Sequence, residues 1–150
     1  MISDTLEIHA AHDVAEALRP VLVRLARELR RETEQLGITS RQATLLWLVR
    51  ESPGKTLRSL AEQEGIAAPS LSGHLDRLEA AGLVERVRST DDRRRVGVVL
   101  TATGERLLRR IRARRTTWLT ERLDALELRE LDDVARAIPA LRRLLEAEAL

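Results

Sequence analysis

Apolar residues first recur at helical spacing. Val14, Leu18, Val21, Leu25, Leu29 and Leu36 fall three, four or seven positions apart, which predicts one long amphipathic helix over residues 11–37, stopped by Gly37. Ser40 is placed to cap a second helix reaching about residue 51, with Ala43, Leu46, Trp47 and Val49 as its apolar positions and Ser52-Pro53-Gly54 as its end. Residues 57–65 read as a short helix closed by Gly65. Residues 68–82 read as another closed by Gly82, with Pro69 tolerated in its first turn. Two helices joined by a tight turn containing glycine form a helix-turn-helix candidate.

After Gly82 the pattern changes. Residues 83–88 (LVERVR) and 96–100 (VGVVL) are short, rich in β-branched residues, and separated by a charged loop holding Asp91 and Asp92, which predicts a β-hairpin. A helix-turn-helix followed by a hairpin is a winged helix. Thr101 can cap a fifth helix with Leu107, Ile111 and Trp118 on one face. A sixth carries Leu131, Val134, Ile138, Leu141 and Leu145, and Pro139 within it should kink or interrupt it. The fold class is therefore mainly α with a small β-hairpin wing (α+β), in one domain over residues 1–150. A winged helix-turn-helix lobe occupies about 38–101, with dimerisation helices at about 10–37 and 102–148. Those outer helices are assigned to a dimer interface because the stripes of Val14, Leu18 and Val21 and of Leu131 to Leu145 exceed what so small a core can cover. An intramolecular bundle is the open alternative.

Charge sharpens this picture. The formal net charge is +2, yet residues 86–115 hold 11 Arg against 3 acids, giving +8, while 1–37, 38–85 and 116–150 carry −2, −1 and −3. A basic third in a mildly acidic chain is the footprint of a surface that meets phosphates, although a solvated helix over residues 109–115 (RRIRARR) leaves the same mark. The absence of cysteine excludes disulfides, thiolate metal sites and thiol redox switches. No apolar run approaches the roughly 18 residues of a membrane span, and the acidic start MISDTLEIHAAHD does not resemble a signal peptide, so a cytoplasmic protein without membrane contact is expected.

Catalytic chemistry finds little support. Only three His occur, no serine has a nearby His in a triad-like motif, and no Gly-rich phosphate loop is present. Glu7, His9, His12 and Asp13 lie close enough to suggest a metal-responsive regulator, with His9 and His12 spaced i, i+3; the start of a solvated helix explains the same residues, and no metal site is assigned. A winged helix that binds protein rather than DNA is the other alternative, since fold alone does not specify the partner.

The order of elements resembles the MarR family of dimeric winged-helix transcription regulators, from about Leu18 to Leu145. The matching motifs are Ile38-Thr39-Ser40-Arg41-Gln42, Leu60-Ala61, Pro69-Ser70-Leu71-Ser72, LEAAGLVER over residues 78–86, Asp92-Arg93-Arg94 and Leu100-Thr101-Ala102-Thr103-Gly104. The resemblance implies a homodimer acting on a pseudo-palindromic double-stranded operator, most simply as a ligand-responsive repressor. Arg93 or Arg94 would enter a minor groove with Asp92 holding a neighbouring guanidinium, and Arg86, Arg88 and Arg95 would meet phosphates. Base contacts are implied near Ser70 and Ser72, with Pro69, Gly73, His74 and Arg77 on or beside the same face. Many members carry Arg where this chain has Gly73, and a small polar cap where it has Ala67. No cofactor is implied beyond an unidentified small aromatic or anionic effector. Trp47 and Trp118, the only aromatics, are candidates to line its pocket, although core packing accounts for them as readily.

Overall fold

A computed structural model describes residues 11–90 and 92–146. The elements in chain order are α1 (Ala11–Glu34), α2 (Ser40–Glu51), α3 (Leu57–Glu64), α4 (Ala68–Ala80), β1 (Val84–Arg88), β2 (Val96–Leu100), α5 (Ala102–Leu123) and α6 (Leu128–Glu146). Helices α2, α3 and α4 enclose the core with the hairpin and the first half of α5. Leu45, Leu46, Val49, Leu60, Leu71, Leu78, Leu108 and Ile111 are among its fully buried side chains. Leu108 is the fifth helix's main core residue beside Ile111; Leu107 and Trp118, expected on that face, are only half-buried.

The caps follow local chemistry, with one correction. Thr39, not Ser40, caps α2: the Thr39 hydroxyl accepts from the Gln42 amide while the Gln42 side chain accepts from the Thr39 amide, and Ser40 already belongs to the helix. Thr56 caps α3 and Thr101 caps α5, each accepting from the amide three residues on. Gly65 ends α3 at φ 60, a left-handed geometry that a side chain would strain.

Strands β1 and β2 pair antiparallel from Val84↔Leu100 to Arg88↔Val96. The α2–α3 loop adds a third edge. Gly54 N–H donates to Val98 O (2.8 Å), Val98 N–H to Lys55 O (3.1 Å) and Thr90 N–H to Gly54 O (3.0 Å). Gly97 lies so close to this loop that a Cβ there would overlap the Gly54 carbonyl, and Gly104 lies equally close to the Leu83 carbonyl. Thr101 completes that second joint by donating from its hydroxyl to Gly82 O (2.6 Å) and from its amide to Leu83 O (3.1 Å). The wing is thereby fastened to the turn after α4 at one end and to the α2–α3 loop at the other.

Helices α1 and α6 behave differently. Among the described residues, Thr33 is the only buried one of α1, and α6 buries none. Pro139 does not interrupt α6, and Pro20 sits inside α1 in the same way. A helical proline removes one N–H···O bond four residues back; here the freed carbonyls belong to Glu16 and Ala135, both exposed, so water can satisfy them. The positions expected to form a dimer interface are not covered by any other described residues of the chain. Val14, Val21, Leu131, Val134, Ile138 and Leu145 are exposed, and Leu18 and Leu141 are half-buried.

Candidate nucleic-acid interface

Helix α4 is held by Leu71, Leu75 and Leu78, which point into the core at three- and four-residue spacing. Pro69, Asp76 and Ala80 therefore face solvent, and so does Ser70, while Ser72, Gly73 and His74 are half-buried and Arg77 is exposed. At 100° per residue, Ser72, Asp76 and Glu79 share one flank and Ser70, His74 and Arg77 the other. Ala67 caps the helix without a side-chain hydrogen bond. The first-turn amides thus have no protein acceptor from the cap, and an anion can take its place.

Beyond β1 the chain reaches the wing tip. Asp92 organises it: its carboxylate accepts from the Arg94 amide (3.0 Å) and lies 3.5 Å from Arg94 Nε and 3.6 Å from Arg95 Nε. The Arg94 side chain is 93% exposed, and Arg88, Arg93 and Arg95 are solvent-facing or nearly so. Asp92 therefore grips Arg94 and Arg95, and the guanidinium of Arg94 projects into solvent. A small cavity of about 280 Å³ joins Arg95 and Asp92 to Thr56, Arg58, Ser59 and Glu62 of α3 and its cap. Arg58, which sequence reasoning missed, thus stands beside the wing; its Nε bonds Glu62 at 3.0 Å.

Arg86 is placed apart from the other wing arginines. Its Nη2 donates to Asp76 Oδ1 (2.6 Å) and its Nη1 lies 3.0 Å from Glu79 Oε2, so one guanidinium bridges two carboxylates of α4. The Asp76 hydrogen bond is the largest cause of its raised pKa, with the charge of Glu79 adding to it.

At the stalk, Arg115 Nε donates to the buried Thr33 hydroxyl (2.9 Å), and Arg114 joins Glu32 (2.9 Å) and Gln35, linking α5 to α1. Burial lowers the pKa of Arg115. Trp47 packs against the core with Arg50 5.2 Å above its ring. Trp118 instead lines a groove of about 550 Å³ between α1 and α5 with Val21, Arg24, Leu25, Glu28 and Arg122, whose guanidinium lies 3.7 Å from its ring centroid. His12 is exposed at the start of α1, and His9 lies outside the described residues. Among the described residues no cluster of three or more His, Asp or Glu could hold a metal ion, and no helix is long and apolar enough to cross a membrane.

Comparison with known proteins agrees with this geometry. Residues 38–96, from just before the second helix to the first residue of β2, match the MarR family model. The HTH-type transcriptional regulator FarR of Neisseria gonorrhoeae is 41% identical over 93 residues, 62% of this chain and 61% of FarR. The match thus spans under two thirds of that relative's length. A Pseudomonas aeruginosa protein of known structure superposes with a TM-score of 0.77 at 30% identity, covering 91% of this chain and 96% of its own. S. aureus MepR, solved bound to an oligodeoxyribonucleotide, shares the fold at a TM-score of 0.67 and 22% identity, over 88% of this chain and 97% of its own. With its winged helix-turn-helix, its basic wing and these relatives, the chain belongs to the MarR family of transcription regulators.

Proposed function

We propose that this chain works as a homodimer that binds a pseudo-palindromic double-stranded operator and represses the promoter it overlaps. The observation that carries this is the shared outward exposure of α4's small polar face and the Arg93–Arg94 tip, both fastened to one lobe by backbone hydrogen bonds. A recognition helix in the major groove reads base edges there, while a cationic tip is attracted to the narrow minor groove beside it. The solvent-facing stripes of α1 and α6 supply a surface for the two-fold mate, which would set the two α4 helices about one helical turn apart.

The groove beside Trp118 suits a small aromatic or anionic effector, because it offers the guanidinium of Arg24, the stacked Trp118–Arg122 pair and the apolar side chains of Val21 and Leu25. Val21 belongs both to this groove and to the dimer stripe, so an occupant would act on the relation between protomers. We assign no cofactor and place the protein in the cytoplasm with its DNA. Selection of bound fragments from source genomic DNA tests the operator: recovery of a recurrent inverted repeat is expected, and recovery of random fragments would refute sequence-specific binding.

A further inference from the structure

We propose that Arg86 serves DNA binding as a built-in counter-ion for the recognition helix, offsetting half the charge of Asp76 and Glu79, and is not itself a phosphate ligand. Both terminal nitrogens of its guanidinium are engaged, one with each carboxylate, at 2.6 and 3.0 Å. The two acids lie one turn apart on α4, and Arg86 reaches them from the neighbouring strand β1. Their side chains are 58% and 41% exposed, so they remain open to whatever approaches that side of the helix. Asp76 and Glu79 share their flank with Ser72, four residues before Asp76. A duplex laid against Ser72 brings its phosphates towards both carboxylates, and two bare negative charges there would repel it. With Arg86 between them the local charge falls from −2 to −1, and its planar fork matches two separate acceptors where an ammonium would offer a point charge. Arg86 is thus a positioning residue acting through Asp76 and Glu79, unlike Arg93 and Arg94 at the open tip.

The inference rests on the DNA-binding reading above. Its test is anisotropy titration of the full chain on an operator duplex and a random duplex over a salt series. Arg86→Gln alone should weaken binding to both duplexes about tenfold, since it leaves two uncompensated acids beside the backbone. The triple variant Arg86→Gln, Asp76→Asn, Glu79→Gln should return to within about threefold of the unaltered chain on random duplex, with the same salt slope. A triple variant that stayed weak, with a slope shallower by about 0.9, would identify Arg86 as a phosphate ligand and overturn the inference. Should Arg86→Gln fail to fold, the triple variant, which removes arginine and acids together, carries the test alone by the same criterion. If the unaltered chain showed no salt-dependent binding to either duplex, the DNA-binding reading would fall and this one with it; binding by the unaltered chain with an unrescued triple variant sinks this one only.

Discussion

Thr39 and Gln42 cap α2 reciprocally: the Gln42 amide donates to Thr39 Oγ1 at 3.2 Å, and the Thr39 amide donates to Gln42 Oε1 at 3.0 Å. The neighbouring Ser40 Oγ is buried and has no hydrogen-bond partner among the described residues. Thr39→Ala should therefore cost about 1 kcal/mol, whereas Ser40→Ala should be neutral or slightly stabilising. Thermal unfolding checks the contrast, with about 2–4 °C expected per kcal/mol in a chain of this size. Equal losses at the two positions would contradict the assignment of the cap.

Two glycines make a second contrast. A Cβ at Gly97 would overlap the backbone of Gly54 and crowd Ser89, whereas a Cβ at Gly73 would meet no described atom within 4 Å. Gly97→Ala must push the α2–α3 loop off the wing, so it should destabilise by roughly 1–3 kcal/mol, the usual range of overpacking. Gly73→Ala should instead stabilise by up to about 1 kcal/mol through helix propensity. Denaturant midpoints measured on both variants decide this, and a stable Gly97→Ala chain would mean that the loop is free to move.

Much of the fold is legible in the sequence because its signals are local. The three- and four-residue stripes, the glycine stops and the switch to β-branched residues at 83–88 and 96–100 each act within one element. Propensity alone points to Ser40 as a cap although the spacing to Gln42 favours Thr39; adjacent hydroxyl residues have similar propensities, and only the partner three positions on separates them. Pro139 carries the signal of a helix break, but in an exposed helix water replaces the missing bond. The Arg86 bridge and the third edge of the wing join residues that are distant along the chain, through packing of α4 on β1 and of Gly54 on Gly97, and no periodicity reports such a pairing. The basic tip is visible in the sequence; which arginines are open to solvent and which are held is not.

Dimerisation should depend on both outer helices. Val21 is 53% exposed and Ile138 46%, each in the middle of an apolar stripe that no described element of the same chain covers. Sedimentation at micromolar concentration should give about twice the chain mass for the unaltered protein. Val21→Glu with Ile138→Glu places charge on both stripes and should yield folded monomers, because neither residue contributes to the core around Leu46 and Leu71. A variant that stayed dimeric would move the interface elsewhere.

Wing and recognition helix should be separable by the binding property each supplies. Arg93 and Arg94 stand exposed at the hairpin tip, where Asp92 orients the backbone of Arg94 and leaves its guanidinium in solvent. Arg93→Ala with Arg94→Ala therefore removes charge that any duplex would attract. Affinity should fall on operator and random DNA alike, and the salt slope should become shallower by about 0.9 for each phosphate no longer neutralised. Ser70 and Ser72 lie on opposite flanks of the outward face of α4, so replacing either touches a different part of the half-site. Ser70→Ala or Ser72→Ala should relax discrimination at one or two base pairs, by roughly 1–3 kcal/mol for each hydrogen bond to a base edge that is removed, with little change in the salt slope. Circular dichroism and sedimentation must first show each variant folded and in the same assembly as the unaltered chain. Unchanged affinity and slope in the doubly substituted wing would mean that its arginines are solvated charge alone, and the minor-groove assignment would have to be abandoned.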